Sequence, residues 1–240
     1  MSIVLSIVYF KLRLLESAKT SISQAMMNQK LLLWLLWVSF IVYLLLLAPP
    51  FNWEFTKLLL IKLLTLQWSA INPVILSLFS LIGVWILIYS SLLFFDGRMQ
   101  TLPFYPFALL ALGTGVVGLI PYLAWRKPNT EFTGTKDWWL SLLDSRSTGI
   151  ALILFTLGLL IYALIGGDWG EFWQLFKSDR FINGMSLAFG LFCLLFPTVL
   201  GDDMTRRGYL RESQLFWFIA SVPLFGPLFY LCWRSPIRAT

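Results

Sequence analysis

The stretch Gly201-Asp-Asp-Met-Thr-Arg-Arg-Gly208 is where residue types and spacing first suggest chemistry. Two adjacent carboxylates at a membrane surface can hold Mg²⁺ against a diphosphate, as acid-rich motifs do in intramembrane prenyltransferases. Such a site needs a second set of carboxylates across the cavity, and the next charges here are Arg206 and Arg207. Asp and Arg three or four positions apart also pair with each other around a helix end. The plainer expectation is therefore a solvated, self-paired turn after the fifth apolar segment. The functional expectation is that Asp202, Asp203, Arg206 and Arg207 contact a partner or ligand, with no metal. Exposed ion pairs are worth only about 0–1 kcal/mol, so either expectation leaves the turn without a stabilising role.

The rest of the composition removes whole classes of activity. There is no histidine, so the commonest general base, metal ligand and haem ligand is missing. Cys193 and Cys232 both sit inside apolar runs, without zinc or iron–sulfur spacing. The net charge of +6 comes from scattered Lys and Arg rather than from a folded basic domain, which argues against nucleic acid. Polar residues within the apolar runs are hydroxyls and amides, among them Ser77, Ser80, Tyr89, Ser90, Thr114, Ser186 and Thr198. No cofactor is evident. Such a lining suits a carotenoid, quinone or other isoprenoid better than a polar solute.

The elements that would carry these residues are helices in lipid. Charged residues make up 12% of the 240, against about 25% in a soluble domain, and the mean hydropathy is +0.78. Charge-free runs cover 31–53, 63–95, 99–125, 147–167, 181–201 and 213–233. Each reaches the roughly 20 residues that span a hydrocarbon core of about 30 Å. A backbone in lipid must satisfy its own hydrogen bonds, and no run alternates in the manner of a barrel strand. The expectation is an all-α integral membrane protein of about six transmembrane helices. Trp53, Trp68, Trp125, Trp138, Trp139, Trp169, Trp173 and Trp233 fall at run ends, where indole rings suit the headgroup level.

The two halves repeat. Gly118-Leu-Ile-Pro-Tyr-Leu-Ala-Trp-Arg-Lys-Pro128 and Gly226-Pro-Leu-Phe-Tyr-Leu-Cys-Trp-Arg-Ser-Pro236 match in Gly, Tyr, Leu, Trp, Arg and Pro, 108 positions apart. Tyr43 pairs with Tyr162, Glu54-Phe55 with Glu171-Phe172, Ile71-Asn72 with Ile182-Asn183, and Asp96 with Asp203. Gly113, Gly115 and Gly118 face Ser221, Pro223 and Gly226, breakers that serve close helix packing or a midplane site. The organisation reads as a tail or interfacial helix (1–30), a first repeat (31–128), a linker (129–146) and a second repeat (147–236), with short interfacial helices in each repeat. Three crossings per repeat is odd, so the repeats are expected to be inverted, with Asp96 and Asp202-Asp203 on opposite faces. On that topology Lys and Arg divide nine against nine, and the positive-inside rule is silent. Ile3–Phe10 precedes the charges Lys11 and Arg13, unlike a signal peptide. A start at Met26 or Met27 is the alternative, and it tilts the count to six against nine.

From Phe172 to Trp233 the order is Phe-Trp-Gln-Leu-Phe, a charged turn, an apolar helix, Gly-Asp-Asp-Met-Thr-Arg-Arg and a final Gly/Pro-containing helix. This resembles small uncharacterised integral membrane families of cyanobacteria and plastids. More distantly it resembles the plastid membrane family implicated in neoxanthin formation, which has Asn-Asp where this chain has Asp202-Asp203. The resemblance implies a cyanobacterial thylakoid or plasma membrane location, membrane-complex subunits as partners, and a link to photosynthesis or pigments. It carries over no catalytic residue. The expected function is non-catalytic: assembly of a photosynthetic membrane complex, or pigment and isoprenoid handling. The alternatives are a membrane-embedded isoprenoid- or carotenoid-modifying enzyme and a small facilitative transporter.

Overall fold

The computed structural model describes residues 24, 26–210 and 213–237, and among them every regular element is helical. Most of the expected tail, residues 1–23 and 25, lies outside the described residues. Four helices are long and apolar enough to cross a membrane: α1 (Met26–Leu47), α3 (Pro73–Gly97), α7 (Arg146–Gly166) and the continuous pair α9 (Arg180–Leu195) and α10 (Pro197–Arg206). Two short helices follow α1 and α7, namely α2 (Trp53–Leu64) and α8 (Trp169–Ser178). Asn52 and Asp168 cap them, each accepting from the backbone N–H three residues on. They fall where the interfacial pieces were expected from sequence, with Trp53, Trp169 and Trp173 exposed on them.

The third and sixth apolar runs are not single long helices. The third is a hairpin of α4 (Tyr105–Thr114) and α5 (Val116–Trp125), turning at Gly115 with φ +60°. Residues seven apart in a straight helix are about 10 Å apart along the axis. Here the Ala111 nitrogen lies only 2.7 Å from where a Cβ on Gly118 would stand. The hairpin base is closed by aromatic contacts of Phe104 and Phe107 with Tyr122 (ring centroids 4.9 and 5.3 Å). The sixth run repeats this with α11 (Gln214–Ser221) and α12 (Phe225–Trp233), turning at Pro223-Leu224, where Leu224 has φ +63°. Gly226 presses on Ile219, whose carbonyl oxygen is 2.1 Å from a Cβ position on the glycine. At the base, the Tyr209 hydroxyl meets Ser235 Oγ at 3.1 Å. A ten-residue helix is about 15 Å long, half of a hydrocarbon core.

The parity of crossings changes accordingly, and the inverted repeat is corrected. Each half contains two long helices and one hairpin that begins and ends at the same end of the bundle. Both α3 and α9–α10 run from a capped start, at Asn72 and Asp179, to an aspartate, at Asp96 and Asp203. These pairs are all 107 positions apart, so Asn72 corresponds to Asp179 rather than to Asn183. Where the two helices cross, Trp85 stacks on Phe192 (6.2 Å, 7° between planes) and Tyr89 meets Phe196 edge-on (6.0 Å). Each of these is its partner's repeat equivalent, again 107 apart. Equivalent residues touching along parallel helices place a pseudo-twofold axis along the bundle, not across it.

Candidate functional site

The parallel arrangement gathers the charges that a one-way reading of the crossings scatters. At the end of α3, Asp96 accepts from Arg126 Nε and Nη2, both at 2.9 Å, and from the Tyr122 hydroxyl at 3.3 Å. At the end of α10, Asp203 accepts from the Tyr230 hydroxyl at 2.7 Å and from Arg234 Nη1 at 3.4 Å. Asp96–Tyr122–Arg126 and Asp203–Tyr230–Arg234 are the same triad in each repeat, with each hairpin's last turn tied to the end of the preceding long helix. Both triads are buried.

Asp202, Asp203, Arg206 and Arg207 join the two triads. Arg126 Nη2 also donates to Asp202 at 2.5 Å. Arg206 reaches Asp96 at 3.2 Å and Asp203 at 3.3 Å. Arg207 donates to Asp203 at 2.8 Å and to Asp144, which precedes α7, at 2.6 Å. Lys136 closes the cluster on Asp144 at 2.6 Å. Two sequence expectations fail here. Asp96 and Asp202 are not on opposite faces, because one guanidinium binds both. The four residues are not a solvated turn either: Asp202 and Asp203 lie within α10, and all four side chains are 0–2% exposed. Aspartates at a helix C-terminus meet unfavourable carbonyl dipoles, and five cations held against four carboxylates offset that.

The electrostatics follow from this packing. Burial works against the charge on Arg126, but its bonds to Asp96 outweigh burial and raise its pKa. Arg207 is likewise raised: burial opposes, and Asp203 and Asp144 prevail. For Arg234, burial first and the Arg207 charge second lower the pKa to about 10, which leaves the side chain charged at neutral pH. The arrangement can hold helix ends rigidly. Among the described residues no three metal-ligating side chains converge.

Sequence reasoning missed Asp144, Lys136 and the roles of Tyr122, Tyr230, Arg126 and Arg234. The signal was present for most of them, because the Tyr and Arg conserved between the repeat endings are the two triads. The hydroxyls expected to line a ligand path mostly face inward to carbonyls. Ser77 bonds Leu159 O, Ser80 bonds Leu76 O, Tyr89 bonds Phe192 O and Ser186 bonds Ile182 O.

Thr198 borders a small cavity of about 20 Å³ beside Arg126 and Asp202, and Thr114 borders a larger one. An apolar groove of about 320 Å³ lies between α1, α3, α9 and the tip of the first hairpin, lined chiefly by Phe40, Phe79, Ile82, Gly113, Phe181 and Met185. The last turn of α1, Tyr43–Leu47, is a π-helix, a widening often found at functional sites. Leu44 of that turn packs at 2.8 Å from a Cβ position on Gly184. No family model, no curated protein and no solved structure matches this chain.

Proposed function

We propose that the protein is a non-catalytic integral membrane protein that accommodates an apolar chain-like ligand, an isoprenoid or pigment, in the groove beside Gly113. The observation that supports this reading is the groove itself, apolar and bordered by helices long enough to span a bilayer. In this reading the hairpins are re-entrant, and the ionic cluster is a lock that fixes them to α3 and α10. Irregular backbone such as the Gly115 turn is tolerated at membrane depth where protein or a cavity surrounds it. Assembly of a photosynthetic complex and a thylakoid or plasma membrane location rest on the Phe172–Trp233 resemblance, and co-purifying subunits would support them. The test is extraction of protein purified in mild detergent, with its absorption spectrum and bound lipids measured. Gly113 has open space where a Cβ would stand, so Gly113→Leu will fill the groove without unfolding the protein and will remove the bound chain. Equal retention by the variant defeats the reading.

Orientation follows from the corrected parity. Lys57, Lys62, Lys177 and Arg180 lie at the end of α2 and α8. The other nine described Lys and Arg (Lys30, Arg98, Arg126, Lys127, Lys136, Arg146, Arg206, Arg207 and Arg234) lie at the end of the ionic cluster. Nine against four breaks the tie and supports a cytoplasmic cluster end. In a background lacking Cys193 and Cys232, an impermeant maleimide will label Ser178→Cys in intact cells and Thr130→Cys only after permeabilisation. The reverse pattern would invert the assignment.

A further inference from the structure

The groove has one charged residue on its wall, Arg180 at the start of α9. Its backbone N–H donates to Pro50 O at 3.1 Å and its Nε to Pro49 O at 2.9 Å, which clamps the side chain to the end of α1. Both terminal amino groups take no partner among the described residues. A guanidinium held by Nε with two free donors over an apolar cleft is a built anion hook.

The other repeat shows that the fold does not require this arginine. The equivalent position, 107 residues earlier, is Pro73, which packs at 3.5 Å from a Cβ position on Gly166. Next to it, Val74 Cγ2 fills the space at 2.5 Å from a Cβ position on Gly167. The pseudo-symmetric site is thus closed by close packing, and only the half that stays open carries the cation. Asp179 makes no ion pair with it among the described residues: one carboxylate oxygen caps α9 at Ile182 N and the other is buried without a hydrogen-bond partner.

We propose that the groove binds an anionic phospholipid of the surrounding bilayer, with an acyl chain between α1 and the hairpin tip and the phosphate on the free edge of Arg180. The inference rests on the reading of the groove as a seat for an apolar chain, and it names a membrane lipid, rather than an isoprenoid or pigment, as the occupant. The occupant is argued from charge complementarity and from location. An apolar cleft on helices long enough to span a bilayer opens to acyl chains, and Arg180 is the first residue of α9, directly after its Asp179 cap, where a span of that length meets the headgroups. The longer side chain of an arginine reaches such a phosphate while its stem stays in the apolar wall.

The experiment uses the full-length protein, delipidated in detergent and titrated with phosphatidylglycerol or phosphatidylcholine while bound lipid is counted by native mass spectrometry. One phosphatidylglycerol is expected to bind at least tenfold more tightly than phosphatidylcholine. Arg180→Gln should abolish that preference, Arg180→Lys should keep most of it, and Gly113→Leu should remove both lipids. Melting curves of each variant separate lost binding from lost folding. Equal affinity for the two lipids in the unaltered protein, or an unchanged preference in Arg180→Gln, overturns the headgroup assignment alone. Retention of both lipids by Gly113→Leu overturns the groove reading beneath it.

Discussion

Asp203→Asn is expected to lower the melting temperature of the detergent-solubilised protein by roughly 6–20 °C, since breaking a buried ion pair costs about 3–5 kcal/mol and each kcal/mol is worth about 2–4 °C at this size. Asp203 receives Arg206, Arg207, Arg234 and Tyr230. An asparagine keeps the shape but leaves three guanidinium groups with only Asp96 and Asp144 to share between them. Asp96→Asn should behave in the same way, because Asp96 occupies the equivalent place in the other triad. The aspartates are expected to be far more costly to alter than the exposed Arg98–Asp137 pair, whose loss should fall within about 1 kcal/mol. A shift below 2 °C for both Asp203→Asn and Asp96→Asn would mean that water reaches the cluster and that it locks nothing.

The hairpins supply the second large effect. Alanine at Gly118 or Gly226 puts a methyl within 2.7 Å and 2.1 Å, respectively, of backbone atoms across the turn. Backbone cannot rotate away as a side-chain tip can, so the two arms must separate. The arms carry Arg126 and Arg234, and separation draws those cations off Asp96 and Asp203. Overpacking alone costs about 1–3 kcal/mol, and the loosened ion pairs add to it. Gly83 and Gly190 give the control: nothing lies within 4 Å of a Cβ at either, and alanine in a helix interior is favoured over glycine by about 1 kcal/mol. Thermal melts of the four alanine variants should fall into two groups of opposite sign. If all four behave alike, the third and sixth runs are not folded back as hairpins.

The location of the apolar runs, the tryptophans at their ends, the short helices after the first and fourth runs and the repeated motif were all legible in the residues. Composition decides the solvent, and identities 107 and 108 positions apart survive whatever the chain does between them. The number of crossings was not legible. A charge-free run such as 99–125 has the same composition as one long helix or as two half-length helices, because both satisfy their backbone internally. Only the left-handed turn at Gly115 and the contact of Gly118 with Ala111 decide between them. That single parity then sets everything beyond it: whether the repeats are parallel or inverted, how Lys and Arg divide between the ends, and whether Asp96 can meet Asp202. Arg126 reaches across 76 residues to Asp202, and no local spacing encodes such a contact. The sequence determined a chain of apolar, membrane-compatible helices whose two halves share one pattern; tertiary packing alone decided that the copies run parallel, because a helix's direction through a bundle depends on the turn before it and not on its own side chains.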